Sequence, residues 1–395
     1  MIESVILDIV LLVVLIGYAI FGYLNGFVHA LFGFLGTIVG AVVAYFFVPI
    51  VANWVEDSTW RLLAVVSVAV LLMVAGHAGG VAIGDAVARN VKQRGLRVIN
   101  RVLGAMTSVI ATTLVISLLA AGLATFGIPV LSRALAGSSV VRVIGALTPD
   151  PVLGAINRLR TSLVHDGLPA ITAALGGIVN PPTLPDIDTG SPALDAAAQS
   201  VVRITGNASA CGQNQAGSGF VISDDRVVTN AHVVAGVEQP VVETPAGQVL
   251  TATIVYFDPE TDLAVIAVPG LDSPALTLGD TAADGAKGVI NGYPYGGPFV
   301  SSPAEVLSVD IASVANIYAD SENLREVYAL AATVIEGDSG GPLLDLNGQV
   351  IGVVFARSAD TENLGYAMTM AELDPVAAEA ADLTKQVVAG RCVRG

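Results

Sequence analysis

The chain has 395 residues, 53% of them hydrophobic and 13% charged, with a net charge of −16. A soluble domain carries about 25% charged residues, so part of this chain is not in water, and its length allows two or three units rather than one core. The acid is concentrated in residues 191–395, with 25 acidic against 8 basic residues, which excludes nucleic acid and anionic lipid as direct partners of that half.

Residues 1–130 are almost continuously apolar. Four stretches reach the roughly 20 residues that span a bilayer: Val5–Leu24, Phe27–Val51, Leu62–Val87 and Val102–Ile128. The first carries Glu3 and Asp8 in place of a basic leader, and more spans follow it, so it reads as a span and not a cleaved signal. Arg89, Lys92, Arg94, Arg97 and Arg101 fill one short loop without an acid, which places that loop in the cytoplasm. The loop at Glu56, Asp57 and Arg61 then lies outside. The fourth span exits outward, so everything after about residue 130 is expected outside the cytoplasm of a multi-pass cell-membrane protein. Gly22/Gly26, Gly36/Gly40, Gly76/Gly80 and Gly80/Gly84 have the spacing of close helix contacts. They fit a compact bundle, a homo-oligomer through the membrane helices, or glycine-rich spans with no specific pairing. His77 and Asp85, in or at the end of the third span, read as hydrogen-bonded or interfacial side chains ahead of an intramembrane site. The four short-looped spans resemble the colicin V production (CvpA-like) membrane family.

Residues 131–192 form a connector. Val152–Leu175 has apolar residues at helical intervals. Residues 179–192, with Pro181, Pro182, Pro185, Gly190 and Pro192, read as a flexible linker open to proteolytic nicking. Ser191–Ser200 reads as a short helix running into a strand at Val201–Ile204.

From there, β-branched runs alternate with turn residues. Strands are expected at Gly219–Ser223, Arg226–Thr229, Thr251–Tyr256, Leu263–Val268, Gly288–Asn291, Gln349–Phe355 and Tyr366–Met368, with a closing helix from about Ala371 to Val388. The spacing fits a sandwich or a pair of barrels. Three motifs lie on this scaffold: Thr229-Asn230-Ala231-His232, Asp258-Pro259-Glu260-Thr261-Asp262, and Glu336-Gly337-Asp338-Ser339-Gly340-Gly341-Pro342. Alone, a glycine-flanked serine is a turn and a lone histidine is structural. In the order His, Asp, Ser, at intervals of 30 and 77 residues, they are specific.

This combination resembles the trypsin-like superfamily, and within it the single-chain HtrA-like proteases, over Val201 to Leu383. The resemblance implies an all-β chymotrypsin-like double barrel in residues 193–395 behind the α-helical bundle of residues 1–130. It implies a serine endopeptidase with His232 as base, Asp262 as its orienting acid, Ser339 as nucleophile, and the amides of Gly337 and Ser339 as oxyanion hole. No cofactor or metal is expected. Aligned from Ser339, the substrate pocket has its base at Thr333 or Val334 and its wall at Val353, Val354, Phe355 and Ala356. It holds no acid to read Lys or Arg, so an uncharged P1 residue is expected. Two departures stand out: no activation cleavage motif precedes Val201 to supply a partner for Asp338, and no PDZ domain is expected after the protease. Two cysteines, Cys211 and Cys392, sit near the two ends of this half. Outside the cytoplasm a disulfide is the economical reading, and two unpaired core cysteines the alternative. The whole architecture resembles the MarP-type acid-resistance periplasmic serine proteases of mycobacteria and related actinobacteria. That resemblance implies processing of cell-envelope proteins under acid or oxidative stress, autocleavage in the connector, and the Cys211–Cys392 bridge. Two rivals remain: a β-domain that only binds peptides, and a membrane half with its own channel or export function.

Overall fold

The computed structural model describes residues 2–54, 58–88, 94–124, 129–149, 170–171, 180–208 and 213–393. The chain divides into two compact units, Ile6–Leu118 and Met1–Val5 with Leu119–Gly395.

The first unit contains most of four helices: α1 (Ile2–Asn25), α2 (Phe27–Trp54), α3 (Ser58–Ala88) and α4 (Arg94–Ala124). Each holds a segment long and apolar enough to cross a membrane: Glu3–Asn25, Phe27–Ala44, Val70–Val87 and Val98–Ala120. Large apolar side chains such as Ile9, Leu24, Phe46 and Leu119 are exposed. Hydrocarbon solvates such side chains as well as a protein core does, so these helices need another reason to associate. Glycine supplies it. A Cβ on Gly36 would overlap the Gly76 carbonyl oxygen, and one on Gly80 that of Phe32, so the backbones of α2 and α3 touch. Gly22 and Gly104 bring α1 against α4 in the same way. The expected glycine contacts are therefore made within the chain. His77 Nδ1 lies 3.2 Å from both Thr37 Oγ1 and the Gly33 carbonyl. Asp85 Oδ1 lies 2.8 Å from His29 Nδ1. Both groups are hydrogen-bonded between α2 and α3.

Two short helices follow, α5 (Pro129–Gly137) and α6 (Ser139–Leu147), bent by 60° at Ser138. The Ser138 hydroxyl accepts from the Val141 N–H and caps α6. By length and composition this bent pair counts as a possible fifth crossing or a re-entrant loop. Further on, Ala170–Ile171 is a strand, β1, where the sequence reads a helix over Val152–Leu175. The rest of that stretch lies outside the described residues. From Asn180 the chain is extended, and Ile187 is partly buried against the core of the β-rich half.

The β-rich half opens with α7 (Pro192–Ala198), capped by Ser191 and started by a proline whose missing N–H costs nothing there. Seven strands then form an antiparallel sheet: β2 (Val201–Ala208), β3 (Gln213–Ser223), β4 (Arg226–Thr229), β5 (Val241–Glu243), β6 (Val249–Thr251), β7 (Thr253–Asp258) and β8 (Leu263–Ala267). Their order is β6-β5-β2-β3-β4-β8-β7. The two edge strands are consecutive in sequence, with only Ala252 between them, so the sheet curls into a barrel. The second barrel contains β9 (Lys287–Gly292), β10 (Val300–Ala315), β11 (Glu322–Ala331), β12 (Pro342–Asp345), β13 (Val350–Ser358) and β14 (Leu364–Met368). It closes because β14 pairs with both β11 and β13. β1 adds to it in parallel, through Ala170 to Arg357 and Ile171 to Ser358.

Each barrel fills its own interior, the first with Ile204, Val221, Ile254 and Ile266, the second with Ile290, Tyr328, Leu330 and Val354. A third cluster draws on both, including Phe220 and Val265 from the first barrel and Val327, Val353 and Phe355 from the second. This shared core fixes one barrel against the other. The sequence reading omits β10 and β11. Ser302, Asp310, Ser313 and Glu322 interrupt their apolar pattern, because the outer part of this hairpin stands in water. The closing helix is shorter than expected: α9 is Met370–Glu379, ending in a 3-10 turn at Ala380–Asp382.

We expect Gly76→Val to lower the melting temperature of the full chain in detergent, because its side chain meets the Gly36 and Gly40 backbone. An unchanged melting curve would refute the glycine contact as the basis of α2–α3 packing.

Candidate active site

Asp262 ends the four-residue turn between β7 and β8. The turn is shaped by Asp258, whose carboxylate accepts from the Glu260 N–H at 2.9 Å and the Thr261 hydroxyl at 2.8 Å. Asp262 itself has φ +57°, a left-handed conformation that a non-glycine residue adopts at a cost of about 1–2 kcal/mol. The surroundings hold it there. Its carbonyl accepts from the Ala231 N–H at 3.1 Å and from Asn230 Nδ2 at 2.9 Å. Its carboxylate accepts twice from His232: Oδ1 from the backbone N–H at 2.9 Å, and Oδ2 from the Nδ1 side at 2.7 Å.

His232 lies on α8 (Ala231–Val234), a single helical turn that begins after Asn230. Both His232 and Asp262 are essentially fully buried, at 0% and 2% exposure. A carboxylate on Nδ1 fixes the tautomer, leaving Nε2 as the proton-accepting nitrogen.

Ser339 comes from the other barrel, on the loop between β11 and β12. That loop is stitched to β3 by Ser218, which the sequence reading does not single out. The Ser218 N–H donates to the Ser339 carbonyl at 2.8 Å, and its hydroxyl donates to the Gly337 carbonyl at 2.6 Å. The Ser218 carbonyl in turn accepts from Thr229 Oγ1 at 2.7 Å, three residues before His232. Any Cβ on Gly340 would overlap Thr229 Oγ1 and stand 2.9 Å from the Asn230 amide. The Ser339 loop is thus packed onto the segment that leads into His232. The Gly-Ser-Gly at 217–219 and the Thr-Asn-Ala-His at 229–232 are the sequence signals of this seam, legible only once the strands are paired.

Gly337 has φ +97°, and the Tyr293–Gly296 turn leaves no room there for a side chain. The Tyr295 N–H donates to the Glu336 carbonyl at 2.5 Å, which turns that carbonyl toward the turn and the Gly337 N–H away from it. Among the described residues, no backbone hydrogen bond is recorded from the Gly337 or Ser339 amides. Asp338 Oδ2 accepts from the Ile335 N–H at 2.9 Å. This acid braces its own loop, the role left open by the lack of an activation motif.

The expected pocket residues do not share one surface. Val334 is buried in the second barrel against Gly365, while Thr333 is exposed and bonded to Asn363. Val354 points into the barrel, and Val353, Phe355 and Ala356 belong to the shared core. A residue the sequence reading missed packs above Phe355: the guanidinium carbon of Arg325, on β11, lies 5.4 Å from the ring centroid.

The family described as "Trypsin-like peptidase domain" matches residues 217–353, and that described as "Colicin V production protein" matches residues 7–149. The Mycobacterium tuberculosis protein "Serine protease Rv3671c" is 36% identical over 399 residues, covering 98% of each chain. The chain belongs to the Rv3671c family of serine proteases. The crystal structure of the M. tuberculosis Rv3671c protease in its active form superposes with a TM-score of 0.51 at 40% identity, covering 56% of this chain and all of that one. A putative serine protease HhoB of Synechocystis is 34% identical over 164 residues, 41% of this chain and 39% of that one. The Rv3671c-family assignment makes this chain a trypsin-like serine protease joined to a CvpA-like set of helices long and apolar enough to cross a membrane.

We expect Gly337→Ala to abolish peptidase activity, since its methyl meets the Tyr293 and Tyr295 backbone at a φ that alanine disfavours by about 1–2 kcal/mol. Wild-type kcat/KM in the variant would contradict the role given to this amide.

Proposed function

We propose that the chain is a membrane-anchored serine endopeptidase whose catalytic triad is His232, Asp262 and Ser339. One observation carries the reading: the buried Asp262 carboxylate engages both the amide and Nδ1 of His232, while Ser339 lies across the barrel seam. In this reading His232 Nε2 takes the Ser339 proton as Oγ attacks the scissile carbonyl, then returns it to the leaving amine. The acyl-enzyme is hydrolysed by the same steps with water. The amides of Gly337 and Ser339 hold the oxyanion, each such donor being worth about 3–4 kcal/mol in other enzymes. The pocket of Thr333, Val334, Val353, Val354, Phe355 and Ala356 keeps its expected preference for uncharged P1 as a working proposal.

The wider biology is proposed on sequence grounds. Loop charges put residues 193–395 outside the cytoplasm, behind the membrane domain of residues 1–130 and the connector of residues 131–192. The substrates are then cell-envelope proteins, processed during acid or oxidative stress, and the bilayer is a partner of the helices, with a homo-oligomer through them still open. Two structural facts support further parts of the reading. β1, in the connector, pairs with β13 at Arg357 and Ser358, which brings that segment to the strand running past the nucleophile loop and favours autocleavage there. Cys392 is in the disulfide form, and the chain has only one other cysteine, Cys211, which lies outside the described residues. A bridge between them closes a loop of about 180 residues, with a chain-entropy stabilisation on the order of 5 kcal/mol.

Labelling by a fluorophosphonate probe separates the protease reading from a peptide-binding one. We expect wild type to label, Ser339→Ala not to, and Asp262→Asn to lose about 10⁴-fold in kcat. Equal labelling of wild type and Ser339→Ala would refute the triad. Cys211→Ala is expected to lower both the melting temperature and the peptidase rate, and a variant unchanged in both would remove the bridge from the account.

A further inference from the structure

Arg325 is 3% exposed, in the shared core between the barrels. Burying a cation costs several kcal/mol unless it is paired and fully hydrogen-bonded. This one is neither. Among the described residues no carboxylate oxygen lies within 4.0 Å of it, and its Nε is buried without a hydrogen-bond partner. Its anchors are neutral. Nη1 donates to the Thr261 carbonyl at 2.6 Å, Nη2 to the Ala315 carbonyl at 3.4 Å, and the guanidinium lies over the Phe355 ring. Thr261 immediately precedes Asp262. The positive charge is therefore fixed one residue from the acid of the triad.

We propose that Arg325 is a positioning residue that tunes the proton affinity of the His232–Asp262 pair and extends the protease's working range to lower pH. This rests on the triad reading above. The pair carries a net −1 when His232 is neutral and 0 when it is protonated. The two groups share a hydrogen bond of 2.7 Å. A fixed cation nearby favours the −1 state, which is the one with a base on Nε2. It therefore lowers the pH at which His232 is protonated and activity is lost. Removing the cation moves that loss to higher pH.

The neighbourhood is consistent with this sign. Asp262 is the foremost of the acids attracting Arg325, ahead of Glu372 on α9 and of Asp258 and Glu260 on the β7–β8 turn. Burial pushes the Arg325 guanidinium below its ordinary value, but it stays cationic because guanidinium starts so high. Glu372 is raised by burial, with Arg325 opposing that rise. Glu260 is held by Ser321, Asn316 and Asn323 and points its charge at the hairpin tip. Asp338, beside Ser339, is directed to the Ile335 amide. Of these groups, Arg325 is the cation.

The test is the pH dependence of fluorophosphonate labelling of the full-length chain in detergent, which needs no known substrate. Three forms are compared, wild type, Arg325→Met and Arg325→Lys, with Ser339→Ala as the blank. Arg325→Met is expected to move the acidic limb up by about 0.5–1 pH unit, a three- to tenfold slower labelling on that limb. Arg325→Lys, which keeps the charge but loses the planar fork, is expected to return the limb toward wild type. An Arg325→Met limb that is unchanged or moved down overturns the proposal. So does an Arg325→Lys limb moved up by about 0.5 pH unit or more, a criterion that needs no folded Met variant. Labelling that persists in Ser339→Ala would instead sink the triad reading itself, so the two failures are distinguishable.

Discussion

The site depends on where the Asp262 carboxylate is held. One acid takes both the main-chain N–H and the ring of the same histidine. That double acceptance fixes the imidazole in place and in tautomer, but only if the acid's own backbone is kept left-handed. The rest of the first barrel supplies that restraint. The Ala231 N–H and Asn230 Nδ2 converge on the Asp262 carbonyl, and Asp258 shapes the turn from the other side. Arg325 then reaches across from the second barrel to the preceding carbonyl. Local strain at one residue is thus maintained by contacts that come from both barrels.

The two halves of the chain solve opposite problems with different residues. In the protease, water drives apolar side chains inward, and branched residues fill two barrel interiors and a shared seam. Among the membrane helices water supplies no such drive, and close backbone contact replaces it. This is why glycine dominates the α2–α3 and α1–α4 contacts, while valine, leucine and isoleucine are left on the outside.

How much was legible in the sequence follows from the range of each signal. The membrane helices were readable because a span is a local property of about 20 residues. The proposed triad was nameable because three short motifs occur in one order, and of its three residues the structure brings His232 onto Asp262. The β10–β11 hairpin was not, because a strand with one face in water breaks the apolar run that marks it. The facing of the expected pocket residues was hidden for a related reason. Val353, Val354 and Phe355 are one continuous apolar run, and only the pleat, with a bulge between Val354 and Ala356, sends them to different cores. Ser218 and Arg325 were not legible from sequence alone, since a serine in a glycine pair reads as a turn until the strands are paired and an arginine in a strand reads as solvated.

Ser218 also bears on how the enzyme folds. Its amide, hydroxyl and carbonyl each reach a different partner: the Ser339 carbonyl, the Gly337 carbonyl and the Thr229 hydroxyl. The nucleophile loop cannot come away from the first barrel without breaking all that one residue joins. Assembly of the site is therefore coupled to docking of the barrels, and a chain with only one barrel formed has no positioned Ser339. For a protease made alongside the proteins it could degrade, cooperativity of folding is a safeguard in its own right.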